Sequence, residues 1–154
     1  MRVAMGSDHL GFRLKEHLKA HLVAMGHEPV DMGCFSEEPI DYPDIAEAVA
    51  LAVAKGEYTR GILVCGTGIG MAIVANKVPG VRAAVCHDPY SAERARASND
   101  AQLATFGALV IGPGTAERIL DIWLGVEFQG GRSQAKVEKI HAIDTRFRRQ
   151  VCGR

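Results

Sequence analysis

The chain has 154 residues, the size of one domain, and its 47% hydrophobic content suits a globular core rather than a disordered chain. Eighteen basic side chains balance eighteen acidic ones, so the chain has no general attraction to nucleic acid or to an anionic membrane surface, and any anion site must be local. The apolar runs are too short to span a bilayer. The widely spaced Cys34, Cys65, Cys86 and Cys152 contain no Cys-x-x-Cys pair, which predicts free thiols and argues against a zinc site; no cofactor is expected.

Met1 to Gly6 reads as a first strand, entered without a signal-peptide pattern, and a cytoplasmic location is expected. Leu10, Leu14, Leu18, Leu22 and Met25 then line one face of a helix that Gly26 closes. Glu28 to Met32 is a second, less apolar strand. A polar loop from Ser36 to Pro43 leads into a helix with Ile45, Val49, Ala52 and Val53 on one side. Gly61 to Cys65 is the clearest buried strand, and a short apolar helix follows from about Ile69 to Lys77. Val81 to Cys86 is a fourth strand, Ser91 to Ala97 a helix, and Gln102 to Phe106 a fifth strand. Ile119, Ile122, Trp123 and Val126 mark a further helix, and a helical tail over about 133–147 carries Val137, Ile140 and Phe147.

Alternating strands and helices imply a parallel sheet covered on both faces. The expected fold is a single α/β domain over 1–154. It would be a three-layer, Rossmann-like sandwich whose five-stranded parallel sheet has the order 2-1-3-4-5. Ligands in such sheets bind beyond the C-terminal strand ends, where the strand order reverses. That places the chemistry just after Met5, Cys65 and Cys86.

The strongest local signal is Cys65-Gly66-Thr67-Gly68-Ile69-Gly70, directly after the third strand. Alternate glycines let a ligand approach the backbone, and successive N–H groups at a helix N-terminus form an anion cradle. The same field favours the thiolate of Cys65. A thiolate there can remove a proton from carbon beside a carbonyl while the N–H groups hold the oxyanion. The plainer reading is a buried cysteine in a tight turn. A dinucleotide fingerprint does not fit, because Met71 and Ile73 stand where its third glycine would fall, although Asp88 lies at the right distance for the ribose contact. No Gly-Lys-Ser/Thr follows, which excludes a Walker A loop.

Asp8-His9 opens the first helix. Asp8 is either its cap or, since strands one and three are neighbours at the reversal point, a partner of His9 and Cys65 in one crevice. His87-Asp88 has the same strand-end placement and reads first as a cap or surface pair. Ser98-Asn99-Asp100 has turn chemistry. Arg132 and Lys136 put two cations beside the flexible Gly130-Gly131 turn, which also suits a solvated helix start. Tyr42-Pro43 suits a helix entry.

From Gly6-Ser7-Asp8-His9 to about Ile143 the chain resembles the family of ribose-5-phosphate isomerase B and the galactose-6-phosphate isomerase subunits. The markers are those four residues, Asp41-Tyr42-Pro43, Cys65 to Gly70, Ala75-Asn76-Lys77, Pro79-Gly80-Val81-Arg82, Asn99-Asp100 and Gly130-Gly131-Arg132. The resemblance implies a metal-free aldose–ketose isomerase acting through an enediolate, with ribose 5-phosphate as default substrate. A tetrose or hexose phosphate (erythrose 4-phosphate, galactose 6-phosphate or allose 6-phosphate) is the alternative. A non-catalytic nucleotide or sugar-phosphate binding module of the same fold is the competing class.

By this similarity Cys65 is the base between C1 and C2, with Thr67 beside it and Gly66, Thr67, Gly68, Ile69 and Gly70 steadying the enediolate. Asp8, His9, Tyr42 and Asn99 contact the substrate, and Arg132 and Lys136 hold its phosphate. One branch of the family has glutamate where Ile69 stands and serine for the cysteine; this chain resembles the other branch. The family usually has a ring-opening histidine where Ser98 stands, so Ser98 joins the implied catalytic set. It usually has a phosphate-binding arginine where Leu109 stands, and Lys136 replaces a further arginine, keeping charge but losing fork geometry. The implied assembly is a homodimer, or a dimer of dimers, with sites built from both subunits.

Overall fold

The computed structural model describes residues 1–152, and side chains through residue 147; the Cys152 thiol lies outside the described residues. The chain alternates β1 (Arg2–Ser7), α1 (Phe12–Ala24), β2 (Glu28–Asp31), α2 (Tyr42–Ala54), β3 (Gly61–Cys65), α3 (Ile69–Ala75), β4 (Ala83–Val85), α4 (Pro89–Ala97), β5 (Leu103–Gly107) and α5 (Pro113–Gly125). A 3₁₀ turn at Gly131–Ser133 then leads into α6 (Gln134–Cys152).

The strands pair in parallel. Their alternation sorts the core into two layers. Val3, Met5, Ile62, Val64, Ala104 and Phe106 face α1, α4 and α5, where Leu18, Ile119, Leu120 and Trp123 fill the space. Ala4, Leu63, Cys65 and Leu103 face α2 and α3, against Val49, Val53, Met71 and Ala75. The expected three-layer α/β architecture is present.

The strand order is β2-β1-β3-β5-β4, which corrects the expected 2-1-3-4-5. Burial explains the exchange. Every residue of β5 is buried, as a central strand requires, whereas the three residues of β4 are half-buried and suit an edge. The reversal between β1 and β3 is unaffected, so Met5 and Cys65 still end beside it, whereas Cys86 follows the edge strand, away from the expected crevice.

Helix α1 starts later than its apolar spacing predicts. Leu10 and Met25 lie outside it and are exposed, and Leu14, Leu18 and Leu22 form the buried stripe. The delay follows from packing: Gly11 lies against β3, where a Cβ would sit 2.4 Å from the Val64 carbonyl oxygen. The tail is helical as expected, with Val137 buried but Ile140 and Phe147 exposed.

A fully buried ammonium fastens the loop after β2. Lys15 donates to the Asp31 carboxylate and to the Cys34 carbonyl at 2.7 Å, and lies 5.4 and 5.5 Å from the ring centres of Phe12 and Phe35. Burial alone would lift the Asp31 carboxyl. Hydrogen bonds from Lys15 and Lys19, with the Gly33 N–H, outweigh it and hold the acid below the usual carboxylate range. Cys34 and Gly33 exchange backbone bonds with Ser7, so this clasp fixes the end of β1 from which Asp8 and His9 extend.

No helix among the described residues is long and apolar enough to cross a membrane, and no group of three or more His, Cys, Asp or Glu side chains among them is placed to hold a metal ion.

Candidate active site

β3 delivers Cys65 to the C-terminal edge of the sheet on the α2–α3 side, 5% exposed. The chain then turns back over it. Gly68 adopts φ +75°, and its N–H donates to the Cys65 Sγ at 3.1 Å. Only glycine fits here, because a Cβ would lie 2.9 Å from the Phe106 carbonyl carbon and the backbone is left-handed. Helix α3 begins at once, so the N–H groups of its first turn have no intrahelical acceptors, and its N-terminus lies beside Cys65. One of them, Ile69 N–H, donates to the Thr67 hydroxyl at 3.3 Å.

β5 supports the loop from behind. Ala108 N–H donates to the Cys65 carbonyl at 2.8 Å and Leu109 N–H to the Gly66 carbonyl at 3.0 Å. The buried Thr105 hydroxyl donates to the Gly68 carbonyl at 2.8 Å. The Tyr42 ring lies along Gly70, where a Cβ would come within 2.6 Å of it.

Asp8 reaches the same edge, its N–H donating to the Val64 carbonyl at 3.2 Å. Its carboxylate accepts from Gly11 N–H at 2.9 Å, so the helix-entry role and the crevice position coexist. His9 accepts the Ile40 N–H at Nδ1, 3.3 Å, which in the neutral ring leaves the proton on Nε2. Asp8, His9, Tyr42 and the Cys65–Gly70 loop are therefore brought together in one protomer.

Ser98, Asn99, Arg132 and Lys136 are not brought to them. Ser98 and Asn99 follow α4, which runs back to the N-terminal edge of the sheet. There Arg82, ahead of β4, donates to the Asn99 carbonyl at 3.0 Å. The Ser98 hydroxyl accepts from Arg94 at 2.7 and 3.1 Å. Gln129 N–H bonds to the Ala97 carbonyl, and His141 of α6 bonds to Arg82. The segment between them, with exposed Arg132 and Lys136, thus runs at that far edge.

Two supporting residues escaped the sequence reading. Thr105 gave a signal that was available: a hydroxyl inside an apolar strand needs a partner. His87 was read only as a cap or surface residue. Asp88 does cap α4, accepting from Ser91 N–H at 2.7 Å, but His87 Nε2 accepts the Gly107 N–H at 2.9 Å, behind the loop.

The other thiols mark Cys65 as distinct. Burial, and then the negative charge of Asp88, push Cys86 up to about 12, an inert thiol. Cys34 is spent on the Ser36 carbonyl and the Ser7 hydroxyl. Among the described thiols, only Cys65 stands at a helix N-terminus with an N–H directed at its sulfur.

Burial also holds His87 below the usual imidazole range, against the opposing pull of Asp88. The unfolded chain takes up this proton near pH ~6.5, the folded chain only at lower pH. The His87 contribution is thus complete above about pH 6.5 and is lost as pH falls from there through the lowered folded value. His87→Gln keeps an acceptor that does not titrate. Thermal denaturation across this range should show wild type losing stability relative to the variant as pH falls; a difference that stays constant would remove this role.

A profile of the Ribose/Galactose Isomerase family matches residues 3–140. The chain is 55% identical over 148 residues to "Ribose-5-P isomerase B" of Listeria innocua, covering 96% of this chain and all of that protein. It is 51% identical over 142 residues to "D-erythrulose-4-phosphate isomerase" of Pectobacterium atrosepticum, covering 91% of this chain and 93% of that protein. Among solved structures, the ribose-5-phosphate isomerase B of Clostridium thermocellum superposes with a TM-score of 0.94 at 46% identity, over 96% of this chain and 99% of that one. The strand-end cysteine under its glycine turn thus belongs to a member of the Ribose/Galactose Isomerase family.

Proposed function

We propose that the chain interconverts an aldose phosphate and its ketose without a metal, with ribose 5-phosphate and ribulose 5-phosphate as the default pair. The observation that carries this reading is Cys65 Sγ at 3.1 Å from the Gly68 N–H, at the head of α3, in a chain of this family. The thiolate takes the C2 proton of the open-chain aldose. The C–H electrons form the C1–C2 double bond, and charge moves onto O1, where the first-turn N–H groups meet it. The Cys65 thiol returns a proton to C1, and the O2 proton passes to O1. His9, donating from Nε2, and Asp8 and Tyr42 line the approach.

The cations that the resemblance assigns to the phosphate, Arg132 and Lys136, run at the opposite edge in one protomer. A homodimer in which the Asn99, Arg132 and Lys136 edge of one subunit completes the Cys65 crevice of the other resolves this. Exposed Leu10, Ile69, Ile73, Leu109 and Val110 around the loop support such pairing. With ribose 5-phosphate the step belongs to the pentose phosphate pathway, and we place the enzyme in the cytoplasm.

A tetrose phosphate is the second reading, favoured by the Arg94–Ser98 pair. The Ser98 hydroxyl is engaged by a guanidinium and offers no acid–base group for ring opening. Erythrose 4-phosphate cannot close a furanose, because its O4 carries the phosphate, and so needs no such group. Leu109, 73% exposed beside Gly66, likewise offers no charge to a longer substrate's phosphate. The Pectobacterium relative named for erythrulose 4-phosphate suits the same reading.

Cys65→Ala should lower kcat by roughly 10²-fold or more and KM little, since a general base acts in the transition state; turnover near wild type would sink the assignment. Mixing inactive Cys65→Ala with inactive Asn99→Ala subunits should restore activity. No recovery in verified mixed dimers counts against a shared site. Comparing kcat/KM for erythrose 4-phosphate and ribose 5-phosphate decides the substrate. Ser98→His should move preference toward the pentose, and a wild type that already prefers ribose 5-phosphate, unmoved by the histidine, keeps the default.

A further inference from the structure

We propose that Thr105 is a positioning residue for this isomerase: its hydroxyl fixes the peptide between Gly68 and Ile69, and so aims the Ile69 N–H, the first of the donors that receive the enediolate oxygen. The inference rests on the isomerase reading of the Cys65 loop.

Thr105 is fully buried in β5, and strand alternation turns it with Leu103 toward the α2–α3 layer. Its neighbours in that strand are apolar, so the hydroxyl needs a nearby partner. The partner is the Gly68 carbonyl, at 2.8 Å. That oxygen also accepts the Ala72 N–H at 3.1 Å, the first helical bond of α3. The helix alone therefore satisfies the carbonyl, and the Thr105 bond is an addition.

What the addition fixes is an orientation. A peptide group is planar, so setting the direction of the Gly68 carbonyl sets that of the Ile69 N–H on its other side. Gly68 is the residue able to swing most freely, with φ +75° and no side chain. Its own N–H meets the Cys65 Sγ, and the next N–H meets the Thr67 hydroxyl. A rotation of this peptide would misdirect the Ile69 N–H, the first donor of the cradle. Donors for a developing oxyanion act through being fixed before the charge arrives. Thr105 thus works through the loop, without touching substrate.

Two substitutions separate this role from simple packing. Thr105→Val keeps the branched shape and deletes the hydroxyl; Thr105→Ser keeps the hydroxyl and deletes a buried methyl. For Val we expect kcat to fall roughly three- to tenfold, the worth of one neutral hydrogen bond felt in the transition state, with KM within about twofold of wild type. For Ser we expect kcat near wild type and a Tm lower by roughly 2–4 °C. A packing role alone reverses the order, with activity following Tm and Ser the worse variant. Wild-type kcat in Val, or an equal loss in both variants, overturns the proposal. Wild type and Cys65→Ala are assayed alongside. Absence of isomerase turnover in wild type, or its persistence in Cys65→Ala, defeats the underlying reading and this inference with it. A Val variant of normal kcat beside an inactive Cys65→Ala defeats only the role of Thr105.

Discussion

The turn at Gly68 is the constraint around which the catalytic edge is built. It must bring an N–H onto Cys65 and start α3 within three residues of the strand end, and it does so pressed against the backbone of β5 at Phe106. That contact is possible because β5 sits beside β3; a sheet ordered 2-1-3-4-5 would set the short β4 there instead. Strand order therefore reaches into the chemistry. The Thr105 hydroxyl, the Ala108 and Leu109 N–H groups and His87 through Gly107 all act on the loop from β5 or across it.

The second constraint is the length of α4. A parallel β–α unit returns the chain to the opposite edge of the sheet, so residues at the end of α4 cannot reach the C-terminal strand ends of their own subunit. Arg82 fixes them at the far edge, holding the Asn99 and Asp100 carbonyls at 3.0 Å each and the Asp100 carboxylate at 2.7 Å. Arg96 holds the same carboxylate from the buried side, and Asp100 takes a left-handed φ of 49°. A turn held this firmly presents the exposed Asn99 at a fixed position, as the proposed shared site requires.

The layers, the five strands and the crevice between β1 and β3 were legible in the sequence because they depend on local patterns. Alternation within Gly61-Ile62-Leu63-Val64-Cys65 sorts its side chains between the two faces, and glycines punctuate the strand ends. The order of β4 and β5 was not legible, since both read as short apolar strands and only burial over the whole sheet separates them. At the site, Cys65 and its loop carry a dense local signal. Asp8 and His9 needed the topology as well. The roles of Thr105 and His87 depend on contacts 37 and 20 residues distant, which no local pattern encodes. Ser98 shows the reverse: its turn-like chemistry was visible, but not that Arg94, one helical turn earlier, engages its hydroxyl.

That engagement bears on how a substrate would be selected. Arg94 is held in turn by Glu93 and Gln129, so the Ser98 hydroxyl belongs to a chain of hydrogen bonds running from α4 to the segment before α6. A histidine there would meet the same guanidinium through a ring nitrogen in place of the hydroxyl. The pair therefore works as a unit, a cation with a small hydroxyl where an acid–base ring would otherwise stand. The same economy is seen at Leu109, where an apolar side chain covers Gly66. Both features lie away from the Cys65 sulfur and its Gly68 N–H, so on the proposed reading they bear on the sugar that is selected rather than on the proton transfer.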